Sequence, residues 1–132
     1  MATRRRTKTP RRARARPKKR GEENSLEAYH RQSYIQPRLD SGEYEEYIGY
    51  EALSFALFED TTGKRVMYTP DHSVKLANGE IELQETKGGM WRGDSRIRFK
   101  AAAARYPQFH WRSFLYSLVT PLHSPPRSDH DT

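Results

Sequence analysis

Apolar residues first recur at helical spacing. Leu26, Tyr29, His30 and Tyr34 form one stripe behind Asn24 and Ser25, either of which can cap a helix. Pro37 lacks an N–H and clashes with the preceding turn, so the helix is expected to stop there, and Asp40-Ser41-Gly42 is turn chemistry. Over residues 50–58 the period drops to two: Leu53, Phe55 and Leu57 face one way and Ala52, Ser54 and Ala56 the other, which predicts a strand. Residues 61–64 turn the chain. The arms 66–77 and 80–87 then flank Asn78-Gly79, the strongest short-range hairpin signal. In the second arm Ile81 and Leu83 share a face that Glu85 and Lys87 continue, so an apolar stripe runs into an acid and a base. Gly88-Gly89 ends that strand. A helix over 94–105 follows, capped by Asp94, with Ile97, Ala101 and Ala104 as its buried stripe and Arg98, Lys100 and Arg105 turned outward. Tyr106-Pro107 stops it, and residues 109–119 form a last strand. The order α-β-β-β-α-β predicts an α/β or α+β domain, a small mixed sheet flanked by helices.

The periodic pattern covers residues 25–119. Residues 1–24 have none of it. Of the 24 Lys and Arg, eleven fall in the first 20 residues with no acid among them: Arg4, Arg5, Arg6, Lys8, Arg11, Arg12, Arg14, Arg16, Lys18, Lys19 and Arg20. The rest of the chain carries 13 bases against 17 acids, a net charge of −4. This excludes a uniformly cationic protein and predicts a disordered basic arm on a mildly acidic body, because such a segment cannot offset its ordering entropy by burial. Residues 120–132, with Pro121, Pro125 and Pro126, are expected to form a second flexible tail. There is no Cys, which removes disulfides, thiolate nucleophiles and thiolate zinc sites. No run approaches the roughly 20 apolar residues of a membrane span, and the charged N-terminus lacks the apolar stretch of a secretory signal. A cytoplasmic protein is expected, and so small a core suits an oligomer.

Candidate chemistry gathers at the hairpin. Glu85 and Lys87 stand two apart on one strand face. On a solvated face they would be an ordinary ion pair, but charges at the end of a core-facing stripe are costly unless paired or bound to a metal. Asp71 is the second acid. A two-residue turn at Asn78-Gly79 opposes Leu76 to Ile81, Val74 to Leu83, His72 to Glu85 and Asp71 to Thr86. Asp71 is then level with Glu85 but on the other face, and a bulge between Pro70 and Ser73 is expected to turn it round. A three-residue loop would oppose Asp71 to Glu85 directly, at the cost of matching Leu76 with Glu80 and Val74 with Glu82, so the bulge is preferred. Two convergent carboxylates form a partial site for Mg²⁺ or Mn²⁺, which take oxygen ligands. Lys87 beside an activated water, together with a basic arm, suggests phosphodiester hydrolysis.

The string Tyr68-Thr69-Pro70-Asp71, Gly79-x-Ile81, Glu85-Thr86-Lys87-Gly88, Trp91, Asp94, Arg96, Lys100 and Tyr106-Pro107 resembles the PD-(D/E)XK nucleases. Within them it is similar to the phage endonuclease I group of Holliday-junction resolvases and related small phage nucleases, over residues 25–116. The resemblance implies a restriction-endonuclease-like core and metal-dependent DNA cleavage, with Asp71 and Glu85 as metal ligands and Lys87 as the catalytic lysine. It also implies a Glu on the first helix, for which Glu27 is the candidate ligand and Glu51, on the inward face of the first strand, the reserve. His72 stands where an aromatic such as Phe usually follows the Asp, and is read as filling space. Lys100 is the best phosphate contact on its helix, the remaining bases of which suit a solvated face equally well.

These readings predict a Mg²⁺-dependent, structure-selective DNA endonuclease. Junction cleavage needs two coordinated cuts, so a symmetric homodimer is expected. The basic arm is expected to bind DNA through phosphates, with affinity that falls steeply with salt. Trp91 and the tyrosines at 44, 47 and 50 are read as packing residues. The rival is a non-catalytic DNA-binding or packaging protein whose working part is the arm.

Overall fold

The computed structural model describes residues 21–89, 91 and 93–117, and the backbone of 127–131. The bases of the arm at 4–20 lie outside the described residues.

Asn24 caps the first helix, α1 (Ser25–His30). Its side chain accepts from Glu27 N at 2.8 Å, and Glu27 Oε1 accepts from Asn24 N at 2.9 Å. The expected stop at Pro37 does not occur. After α1 the chain widens into a π turn, Arg31–Ile35, and resumes as α2, Gln36–Ser41, with Pro37 in its first turn. The wider turn lets Gln36 N–H reach back to Arg31 O and shifts the ladder so that the missing proline N–H falls at a helix start, where it breaks nothing. Gly42 closes the run with φ +81°, a conformation that glycine adopts without strain.

Strand β1 (Tyr44–Tyr50) follows, where packing tyrosines and no strand were expected. It carries two register shifts against its partner, and each inserts one residue. Tyr44, Tyr47 and Tyr50, three apart, therefore all reach the helix side, and the period of two is erased from the sequence. The strand expected over 50–58 is shorter: β2 is Phe55–Glu59. The arm expected over 66–77 is divided at Thr69-Pro70 into β3 (Arg65–Tyr68) and β4 (His72–Leu76). β2 and β3 pair only with each other, as a separate ribbon. The second hairpin arm is β5 (Ile81–Gly88); α3 is Asp94–Arg105 and β6 is His110–Tyr116. The result is a mixed sheet in the order β1-β4-β5-β6, antiparallel except for the β5–β6 pair joined through α3. A further strand, β7 (Arg127–Asp131), pairs with the outer edge of β6 within the segment expected to be a flexible tail.

The sheet is covered on both faces. On one, Leu83 and Trp111 meet Phe99 and Ala102 of α3, Phe55, Leu57 and Tyr68 of the ribbon, and Trp91. On the other, the helical run lies over β1, β4 and β5, with a small apolar cluster of Ile35, Tyr44 and Val74. The buried stripe of α3 differs from the expected one: Phe99 and Ala102 face the sheet, whereas Ile97 is 65% exposed. Among the described residues no helix is long and apolar enough to cross a membrane.

Candidate active site

The hairpin turn decides the geometry. Gly79 has φ +87°, its N–H donates to Leu76 O at 2.9 Å, and Leu76 N–H donates to Glu80 O at 2.8 Å. This closes a three-residue loop over 77–79 with glycine in the left-handed position. The register is Lys75↔Ile81, Val74↔Glu82, Ser73↔Leu83 and His72↔Gln84. The preferred two-residue turn with a bulge is therefore corrected to the three-residue loop, and Asp71, the next residue back, comes level with Glu85. Of the two mismatches that weighed against this register, Leu76 with Glu80 and Val74 with Glu82, only the second buries a carboxylate. It costs little, because the buried Glu82 carboxylate accepts from Tyr44 OH at 3.1 Å and Gln84 Nε2 at 2.7 Å.

Four sequence-predicted residues meet at the far end of this hairpin. Asp71 is buried just before β4, after the buried Pro70 has turned the chain out of the ribbon. Its Oδ2 accepts both from Thr86 N–H, at 2.9 Å, and from Thr86 Oγ1, at 3.0 Å. Glu85 is 4% exposed on the face of Leu83. Tyr68 OH donates to Glu85 Oε2 at 2.6 Å, and Lys87 Nζ lies 3.4 Å from Oε1. Lys87 itself is a third exposed, at the rim. Glu27 is brought in from α1, and the capping box turns its carboxylate toward the helix start, where Tyr50 OH stands 3.0 and 3.1 Å from its two oxygens. Gly88 keeps that helix close: a Cβ there would meet Leu26 Cδ2 at 3.4 Å.

Electrostatics follow from this crowding. Burial, the Glu85 charge and a hydrogen bond shared with Glu27 push the Asp71 carboxyl up to about 9, against a smaller lowering by the Thr86 N–H. In the cation-free chain this crowding favours the protonated form of Asp71. Burial also raises Glu85, and the Tyr68 and Lys87 contacts work against that rise. Tyr68 in turn is pushed well up by burial and by Glu85, so its hydroxyl stays a donor.

The remaining expectations divide. Glu51 is not on the inward face of a strand. It follows β1 with φ +48°, its N–H donates to Asp71 O at 2.9 Å, and its Oε1 lies 3.0 Å from the Tyr50 hydroxyl, competing with Glu27 for that one proton. It borders the cluster, while Glu27 enters it. Lys100 is exposed on α3. Trp91 is core, its Nε1–H donating to Ser95 Oγ at 2.8 Å. Sequence reasoning missed Tyr50, Tyr68 and Thr86 as the hydroxyl partners of Glu27, Glu85 and Asp71. Tyr68 was legible as an inward residue two before Pro70, but nothing local marked its partner.

The donor set suits a hard divalent cation. It is all oxygen and buried, and the crowding that raises the Asp71 pKa marks where positive charge would be stabilised. Asp71, Glu85 and Glu27 do not already stand as a closed set, since no group of three His, Cys, Asp or Glu with metal-holding geometry occurs among the described residues. Asp71 with Glu85 is the open pair to which Glu27 is adjacent. No protein-family model matches the chain, nor does any curated protein or solved structure.

Proposed function

We propose that this chain is a divalent-cation-dependent DNA endonuclease with a restriction-endonuclease-like core, acting as a homodimer on branched DNA of the kind formed in phage recombination or repair. The observation that carries the reading is the meeting of Glu27, Asp71, Glu85 and Lys87 from three separate elements at one end of a mixed sheet. Asp71 and Glu85, joined by Glu27, would hold Mg²⁺ or Mn²⁺. When bound, such an ion acidifies water and offsets the negative charge that grows on a phosphate under attack. The chain's own residues do the rest. Thr86 fixes Asp71 and Tyr68 fixes Glu85 through one oxygen each, while Glu85 Oε1 faces Lys87 and Asp71 shares a hydrogen bond with Glu27, and these are the contacts a cation would take over. Lys87, tethered by Glu85 and open to solvent, orients the attacking water or neutralises charge on a non-bridging phosphate oxygen. The bases at 4–20 supply phosphate contacts without sequence information.

The test uses purified protein with labelled duplex, single-stranded and four-way-junction DNA, in Mg²⁺ and in chelator. Cutting of the junction in Mg²⁺ alone is expected. Asp71→Asn, Glu85→Gln and Lys87→Ala should each lower it at least about 100-fold while leaving DNA retention nearly unchanged. Undiminished cleavage by all three variants would end the reading. Removing residues 1–20 should weaken binding and flatten its salt dependence yet leave cutting at low salt. A non-catalytic accessory protein predicts the reverse, with all function lost and metal irrelevant.

A further inference from the structure

His72 was expected to fill space, and its burial is complete. Its hydrogen bonds say more. Nε2 lies 3.1 Å from the carbonyl oxygen of Glu27, and Nδ1 lies 2.8 Å from Tyr47 OH. A carbonyl can only accept, so Nε2 carries the proton. Nδ1 is then an acceptor and Tyr47 donates to it. One tautomer satisfies both contacts. Burial lowers the pKa of the ring, which agrees with a neutral imidazole. Ring contacts with His30, Tyr47 and Tyr50, at centroid distances of 5.6, 5.9 and 5.6 Å, leave it no room to swing away.

The residues at the two ends of this link matter. His72 is bonded covalently to Asp71, and the carbonyl it grips belongs to Glu27. These two carboxylates come from the bend before β4 and from a helix far apart in the chain. The helix segment α1 is short and passes directly into a π turn, where Glu27 O also receives Arg31 N–H. A segment of that kind has little stiffness of its own, so its position must come from an outside contact. We propose that His72 is a positioning residue, a polar clamp between β4 and α1 that sets the separation of Asp71 and Glu27 and so the cation affinity of the pair. Tyr47 acts one step behind, by holding the ring in the tautomer that donates. A phenylalanine would fill the same volume but leave the Glu27 carbonyl and the Tyr47 hydroxyl without this partner.

The inference rests on the nuclease reading, and its test separates the two. Binding of Mn²⁺ alone to the full chain is measured by the EPR signal of the free ion, beside the thermal midpoint and, on junction DNA, kcat and KM. His72→Phe should weaken Mn²⁺ binding about tenfold or more and lower kcat with KM for DNA unchanged, while His72→Gln, whose amide N–H can reach the Glu27 carbonyl, should recover most of the loss. Val74→Ala, on the same face of β4 and without a polar role, should lower the midpoint and leave Mn²⁺ affinity untouched. Mn²⁺ binding by folded His72→Phe at wild-type strength overturns the clamp alone, as does an equal loss of affinity in Val74→Ala. Should His72→Phe not fold, Tyr47→Phe decides: weakened Mn²⁺ binding at a near-normal midpoint supports the clamp, and unchanged binding overturns it. A wild-type chain that binds no Mn²⁺ overturns the nuclease reading and the clamp together.

Discussion

The two faces of the central sheet are both buried, but by different means. Toward α3 and the ribbon, Leu83, Trp111, Phe99 and Phe55 interlock as an apolar core with edge-to-face rings. Toward α1 and α2, β5 presents Glu82, Gln84 and Thr86, all buried. There Gln84 Oε1 accepts from His30 Nε2–H at 2.8 Å, while Gln84 Nε2 donates to Tyr44 OH at 3.1 Å and to Glu82. Tyr116 OH donates to His30 Nδ1, whose pKa burial lowers to about 3, so the ring stays neutral. One face is held by area removed from water, and the other by a chain of hydrogen bonds that tolerates no missing member. The carboxylate cluster sits where the two meet. Glu85 is anchored from the apolar side by Tyr68, and Glu27 arrives from the polar side.

Substitutions on the two faces should therefore fail differently. Trp111→Ala opens the apolar face and should cost about 3–5 kcal/mol in urea unfolding. A loss under about 1 kcal/mol would mean that this face is loosely packed. Gln84→Ala removes no large volume but leaves His30 Nε2–H without its acceptor and takes one of two donors from Glu82, and should cost about 1–3 kcal/mol. If it costs nothing, the polar face is not a network and the contrast disappears.

At the border, pH is the probe. Folded Asp71 keeps its proton up to about 9, whereas the unfolded chain loses it near pH 4. Between those values the native state binds more protons, so stability that is full below about pH 4 is lost as pH rises toward 9, by at most about 1.4 kcal/mol per pH unit for each proton. The thermal midpoint of the cation-free chain should fall from pH 5 to pH 8, and saturating Mg²⁺ should remove the slope. The smallest effect is a gain. Ser113 Oγ, buried on the apolar face beside Glu85, has no hydrogen-bond partner among the described residues. Ser113→Ala should stabilise by up to about 1 kcal/mol, and a measurable loss would show that the hydroxyl is used.

The same division governs what local sequence could reveal. Asn78-Gly79, the stripe of Leu83 leading into Glu85 and Lys87, the crossover helix and the Asn24-to-Glu27 capping box are all written in short spacings. β1 was hidden because its two bulges replace a period of two with tyrosines three apart. Pro37 read as a stop because a π turn leaves no mark in residue types. Ile97 was assigned inward because an apolar residue on a helix is only statistically a buried one.

By itself the amino-acid sequence determined the hairpin, the apolar stripe of β5, the catalogue of acids and the segregation of bases into the first 20 residues, since each depends on neighbours within a few positions. Only the tertiary structure decided the hairpin register, the division of the 66–77 arm between two sheets and the approach of Glu27 to Asp71. Those outcomes depend on whether buried polar groups such as Glu82, Gln84 and His72 find partners from remote segments, and no local pattern records the partner.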